Sequence, residues 1–415
     1  MRTDIDAIMQ ANEIDTLLVI GPGQHNPAMV YLTGGAHLTV ADLIKKRGEP
    51  GVLFFAAMER DEAAQAAART GLVTRPYSDY PYMELLKEAD GDPTVASALR
   101  YKRMLTDLGI TGGRVAVYGH VELRTAFPIL FELQRQMPEI TLAGDINDVM
   151  LGTAMFTKDA GEVERIRQMG KITTEVVGKT ADFLSQQAVR GDMLVRSDGE
   201  PLTIGHVKGL INLWLAERGA ENPEGTIFAI GRDAGVPHSS GNPGDILRLG
   251  KTIVYDIFPC EAGGGYFYDF TRTWCLGYAP EEAQKLYDDV YSVYQTVTSE
   301  LEAGAHYGKY QRRACELFEA QGHVTISSDP NTESGYVHHL GHGVGLHIHE
   351  RPFSGPHALA EDCLVPGVVT TVEPGLYYPE RGMGVRLEDT FWVRPDGQIE
   401  VLVEYPYDLV LPVRK

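Results

Sequence analysis

Residues 256–269 read DIFPCEAGGGYFYD and residues 373–388 read EPGLYYPERGMGVRLE, so two carboxylate pairs each bracket a turn-forming stretch. If Ala-Gly-Gly-Gly turns a hairpin centred near Ala262–Gly263, Asp256 and Asp269 become cross-strand partners on one face. Their Cβ atoms then lie about 4.5–5.5 Å apart. A second turn at Pro-Glu-Arg-Gly, around Glu380–Arg381, sets Glu373 opposite Glu388 in the same way. Two hairpins thus deliver four carboxylates to one cavity, and His342 in HHLGHGVGLHIHE (residues 338–350) supplies an imidazole. Four like charges at such distances repel strongly. Two divalent cations make the cluster tolerable inside a fold, and cation pairs of this kind activate water for hydrolysis.

Six of the thirteen histidines fall between residues 338 and 357. His338 and His342 have the i, i+4 spacing of two zinc ligands on a helix. However, Gly341, Gly343 and Gly345 oppose a helix, and no Glu follows His338. An irregular strand presenting His342 and His349 to the carboxylates fits better. His339, His347 and His357 are read as surface or supporting residues. His238 follows a Gly-Val-Pro turn just before the first hairpin and is placed to reach the same cavity. Arg386 shares strand parity with Glu388, hence its face. It can offer a fork to a substrate carboxylate, neutralise the neighbouring carboxylates, or do both. Cys260 has no base beside it in sequence and is assigned no chemistry.

The ordered set Asp256, Asp269, His342, Glu373 and Glu388, with HLGHGVGLHIHERP, TVEPGLY, VRLEDT and YDFTRTW, resembles the pita-bread (creatinase/methionine aminopeptidase-type) metallopeptidases. Within them it is most similar to the proline-specific branch of Xaa-Pro dipeptidases (prolidases) and Xaa-Pro aminopeptidases. The likeness is strong over about residues 155–415 and broad over 1–150. It implies an α+β chain: a smaller α/β creatinase-type domain over 1–150, then a pita-bread catalytic domain over 155–415. Thirteen positions separate Asp256 from Asp269, longer than the family's usual interval, and the Gly-rich turn absorbs the excess.

By resemblance, Asp256 chelates one ion, His342 with Glu373 the other, and Asp269 and Glu388 bridge them. Two Mn2+ ions are implied, with Co2+ or Zn2+ as alternatives. Glu373 shuttles a proton, His238 and His349 stabilise the reacting centre or hold substrate, and His338 and Arg386 position it. A homodimer is also implied, with a small peptide carrying proline second as substrate. An Xaa-Pro bond is a tertiary amide without an N–H, so its site needs an apolar slot for the ring, with Tyr377, Phe353 and Tyr336 as candidates. The compact chain and short second hairpin favour dipeptides over longer peptides. A creatinase-like amidinohydrolase and a non-catalytic binding protein are the rivals on this fold, and the intact carboxylate set speaks against both. The extra N-terminal domain disfavours a plain methionine aminopeptidase.

The remainder of the 415-residue chain agrees with two domains. Alternating strands (DTLLVIG, GVLFFAA, RVAVYG) and helices (ERDEAAQAAARTG, PTVASALRYKRMLTDLG, AFPILFELQRQM) give the first its α/β character. GPGQHN has Asn26 where a dinucleotide-binding turn needs its third glycine, and is read as a loop. Asp159 and Glu162 have capping-box spacing and open the second domain's first helix. EEAQKLYDDVYSVYQTVTSELEAG is read as the last long helix, with Tyr287, Val290, Tyr291, Tyr294 and Val297 along a core stripe. A formal net charge of −20 argues against nucleic acid or anionic membrane as the main partner. Four cysteines without a regular framework, no signal-peptide pattern in MRTDIDAIMQANEID and no apolar run of membrane length lead us to expect a soluble cytoplasmic protein.

Overall fold

A computed structural model of the chain describes residues 4–356 and 358–414. His357 lies outside the described residues. The chain divides into two compact units: a first up to Met155 that takes in Gly263–Gly265, and a second made of Phe156–Ala262 and the chain from Tyr266 onward.

The first unit is a six-stranded sheet flanked by helices. Its strands run in the order Val73–Pro76, Val52–Phe55, Ala41–Lys46, Thr16–Gly21, Gly113–Gly119, Ile140–Ala143. The central strand, TLLVIG, is buried through Ile20 because helices cover both faces of the sheet, which explains its unbroken apolar run. Asn26, in the place of a third glycine, caps the short helix Pro27–Thr33 by accepting from the Met29 amide.

The second unit is built around the two carboxylate hairpins. Asp159 and Glu162 form the expected reciprocal capping box at the start of the 27-residue helix Ala160–Gln186. The strand Thr252–Ile257 lies antiparallel between Thr226–Ile230 and Phe270–Leu276. Its register corrects the first hairpin: Asp256 faces Thr271, not Asp269. The turn is centred on Gly263–Gly264, one position later than expected, and both residues have positive φ (87° and 77°). Two consecutive left-handed residues are what a tight hairpin turn demands, and only the Gly-Gly step supplies them without strain. Moving the turn by one residue moves the pairing by two, so both aspartates keep the same face but become diagonal neighbours.

The second hairpin has the expected register. Val369–Val372 pairs with Asp389–Val393, and Gly375–Tyr378 pairs with Met383–Arg386, in one continuous alignment. Glu373 and Glu388 occupy opposite positions at the break between the two paired stretches. The turn itself is Pro379–Arg381 in a 3-10 turn closed by left-handed Gly382.

Behind these hairpins pack Glu281–Ser299 and a further helix, Gly308–Ala320. Tyr287, Val290, Tyr294 and Val297 are buried as expected, while Tyr291 is half-buried. The Gly308–Ala320 helix is absent from the sequence reading, although Tyr310, Ala314 and Phe318 recur at helical spacing on its inward face, beside Gln311 and Cys315. Gln311 is nevertheless structural: its carbonyl accepts from the Leu340 amide at 2.5 Å, two residues before His342.

Gly341 fixes the backbone beside His342. A Cβ there would stand 2.3 Å from the Tyr307 hydroxyl and 2.4 Å from the Thr371 carbonyl. Gly341→Ala is therefore expected to destabilise the fold by about 1–3 kcal/mol, the range for forced overpacking. Denaturant unfolding measures it, and an unchanged midpoint would show that the Tyr307–Thr371 contact yields freely.

Candidate metal and active site

Asp256, Asp269, His342, Glu373 and Glu388 all line one cavity of about 700 Å³ in the second unit, together with His238, His338, His349 and Arg386. Asp269, His342 and Glu388 each point a ligand-type atom to a common locus, all within 4.8 Å of one another. His342 Nε2 lies 3.5 Å from Asp269 Oδ2 and 3.4 Å from Glu373 Oε1. Its Nδ1 is 3.1 Å from the Gly343 carbonyl, a contact that turns Nε2 toward the carboxylates. Thr371 and Thr370 hold the His342 backbone at its amide and carbonyl.

Two carboxylate oxygens in this cluster, Asp256 Oδ1 and Glu388 Oε1, are buried without a hydrogen-bond partner among the described residues. Their sister oxygens are engaged: Asp256 Oδ2 by the Arg386 guanidinium, Glu388 Oε2 by the Thr271 hydroxyl at 2.7 Å. A buried unpaired carboxylate oxygen is costly unless something positive meets it. Four carboxylates with one imidazole form a donor set that suits a hard or borderline divalent cation. The residues therefore fit a metal centre.

The electrostatics agree. Burial, then the charge of Asp256, drives the Asp269 carboxyl well above its usual range. Burial, then Asp269 and Glu373, does the same to Glu388. Burial would also raise Glu373, but the His342 hydrogen bond and the charges of His338, His342 and Arg386 prevail and lower it to about 2. Burial pulls His342 down, yet its bond to Glu373 and the Glu373 and Asp269 charges carry it up to about 9. The Asp269 and Glu388 shifts thus run toward the uncharged carboxyl, and the His342 shift toward the charged imidazole. His338 and His349 go the other way, both lowered to about 4, chiefly by desolvation. His349 keeps an exposed edge toward the cavity, and its ring packs edge-on against His342 with centroids 4.4 Å apart.

Arg386 is committed within the protein. Nε donates to the Thr271 hydroxyl at 3.3 Å, Nη1 to the Pro237 carbonyl at 3.2 Å and to the Tyr377 hydroxyl at 2.7 Å, and Nη2 to Asp256. These contacts match the neutralising role rather than a fork held open for substrate. Tyr377 in turn bonds His338 Nε2 at 2.8 Å, and His338 Nδ1 meets the His339 carbonyl at 2.7 Å. With Nδ1 as donor to that carbonyl, Nε2 accepts from Tyr377.

Of the three aromatic residues proposed for an apolar slot, only Phe353 lines the cavity. Tyr377 lies beneath it, and Tyr336 is buried against Gln311. Ile227, Phe258 and Ile348 line it as well. Sequence reasoning missed Thr271, although its period-2 relation to Asp269 in YDFTRTW was the available signal. Burial and the nearby Glu221 and Glu261 charges push the Cys260 thiol up to about 12, which agrees with its assignment of no chemistry.

Residues 164–395 match the metallopeptidase family M24. The chain belongs to that family. Among relatives of this M24 chain, one from Bacillus subtilis is 32% identical over 188 residues, covering 45% of this chain and 47% of the relative. The match thus spans about half of that relative's length. An Xaa-Pro dipeptidase of Pyrococcus furiosus is 26% identical over 65% of this chain and 75% of its own. Among solved structures, a dipeptidase from Pyrococcus horikoshii superposes with a TM-score of 0.74 at 21% identity, covering 98% of both chains. An X-Pro aminopeptidase from Thermotoga maritima gives 0.73 at 21% identity over 97% of this chain and 99% of its own. These likenesses establish the fold, an N-terminal domain followed by the M24 domain. No helix among the described residues is long and apolar enough to cross a membrane.

In the metal-free protein, NMR titration should find His342 protonated through neutrality with a midpoint near 9, and His338 and His349 near 4. Because the His342 value rises on folding, its contribution to stability is complete below the ordinary 6.5 and lost as pH climbs through 9. A His342 midpoint below 7 would contradict the charge balance described here.

Proposed function

We propose that this M24 chain is a dinuclear-metal exopeptidase that cleaves the bond between an N-terminal residue and proline, with Xaa-Pro dipeptides favoured. The observation that carries the reading is the meeting, in one cavity, of all five candidate ligands with two buried carboxylate oxygens left unpaired. Relatives named Xaa-Pro dipeptidase support the substrate class.

Asp256 would hold one ion, His342 and Glu373 the other, and Asp269 and Glu388 both, with Mn2+ the first candidate. Bound there, divalent ions supply Lewis acidity toward the scissile carbonyl and lower the pKa of an attacking water. Glu373, ionised at neutral pH, accepts the proton that this water gives up and delivers it to the departing proline nitrogen. His349, held neutral, offers an N–H to the developing oxyanion without adding a full charge. His238, on the cavity wall after Pro237, acts beside it. Arg386 fixes Asp256 from behind. His338, locked between Tyr377 and the His339 carbonyl, forms a rigid wall for substrate. Phe353, Ile348 and Phe258 give the apolar surface that a proline ring requires.

The test is hydrolysis of an Xaa-Pro dipeptide beside the matching Xaa-Pro-Yaa tripeptide, on metal-free and Mn2+-reconstituted protein. Metal-dependent cleavage of the dipeptide alone is expected. Cleavage of the tripeptide as well would make the chain an Xaa-Pro aminopeptidase, and cleavage of neither despite bound metal would overturn the reading. Glu373→Gln should lower kcat by at least roughly 10²-fold, the lower end for a general acid–base. Near-normal turnover in that variant would remove Glu373 from proton transfer.

A further inference from the structure

Besides Arg386, the lysine or arginine lining the active-site cavity is Lys208, on the helix Ile204–Ala216. Its Nζ donates to the Ser240 carbonyl at 3.0 Å, two residues beyond His238. An ammonium carries three donors, and no carboxylate of the described residues lies within 4.0 Å of this one. Glu224 shares the cavity wall but is exposed and makes no ion pair with Lys208. Partial burial, with no compensating charge, lowers the Lys208 pKa. A half-buried cation left without a counter-ion beside an otherwise anionic centre favours an anionic visitor.

Arg386 cannot take that part, because each of its nitrogens already donates inside the protein. His338 has both ring nitrogens engaged, by the His339 carbonyl and the Tyr377 hydroxyl. We propose that Lys208 recognises the free C-terminal carboxylate of a short peptide, and so selects substrates that end soon after the scissile bond. The assignment rests on the exopeptidase reading above and supplies its specificity. A dipeptide carries its carboxylate on the residue next to the cleaved bond, where a longer peptide carries a neutral amide. A lysine, a point charge on a flexible four-carbon stem, keeps two further N–H donors beside the one it gives to Ser240.

The decisive comparison is kcat/KM for Ala-Pro against Ala-Pro-amide on the metal-loaded enzyme, in the unsubstituted chain and in Lys208→Met and Lys208→Arg. The unsubstituted enzyme should prefer the free acid by roughly 10- to 100-fold, the scale of one charge-assisted hydrogen bond in a partly desolvated site. Lys208→Met should bring the ratio toward one, mainly through a higher KM for the acid, and Lys208→Arg should restore part of it. A ratio unchanged in Lys208→Met overturns the assignment, as does an unsubstituted enzyme indifferent to the amide. Equal losses on both substrates with a lower Tm would reduce Lys208 to a hold on the Ser240 loop. If the unsubstituted enzyme cleaves neither compound, the Xaa-Pro reading falls and this assignment with it.

Discussion

Holding four carboxylates against one another out of water is the constraint on which the second unit depends. Two unit charges about 5 Å apart repel by about 3 kcal/mol at an effective dielectric near 20, and here several such pairs share one locus. In the metal-free protein the Asp269 and Glu388 carboxyls are shifted upward, toward their uncharged forms, while His342 is shifted toward its charged form and the Arg386 guanidinium pairs with Asp256. A bound cation favours the ionised carboxylates, so metal uptake, protonation and stability of this unit are thermodynamically linked.

The scaffold behind the cluster must resist the same repulsion. Arg272 and Asp389, alternating in strand parity with Thr271 and Glu388, form a buried ion pair at 2.9 Å on the opposite face. The Arg272 guanidinium also binds the carbonyls of Thr271 and Glu388, at 3.0 and 2.8 Å. Tyr294 and Tyr407 both donate to Asp389 Oδ2. One buried cation thereby stitches together the backbones of the two strands that carry cavity-facing residues. Such a pair is weak evidence for net stability. What it secures is register, and register decides which side chains face the cavity.

Much of this was legible in the chain because turns set register. Pro-Glu-Arg-Gly placed Glu373 opposite Glu388 correctly, since only one turn centre there satisfies the glycine that follows it. A turn centred on Ala262–Gly263 would need a left-handed alanine, a strain that the Gly263–Gly264 step avoids, and with that centre the aspartates are diagonal rather than opposed. Thr271 escaped notice for the same reason, because it holds the position that the earlier turn centre gave to Asp269. The Gly308–Ala320 helix carries a legible signal, Tyr310, Ala314 and Phe318 at helical spacing, that the polar residues between them hide from a reading by apolar runs. Tyr377 was read as a ring to line a slot, whereas its hydroxyl is what the fold uses. A sequence states the residue type, and only the packed neighbours decide which end of an amphipathic side chain matters.

Arg386 shows how closely the parts are tied. Its guanidinium reaches a candidate ligand (Asp256), the tyrosine that fixes His338, the hydroxyl that holds Glu388 and, through the Pro237 carbonyl, the turn that carries His238. A lysine could not span all four, because its three donors radiate from one point, whereas the planar guanidinium reaches in several fixed directions at once. The residue that neutralises a carboxylate is therefore also the one that ties down the elements carrying the cavity-lining His238 and His338. With that guanidinium consumed in building the site, recognition of a substrate's own charge must fall to a side chain with donors to spare, and Lys208 is the lysine on the cavity wall that has them.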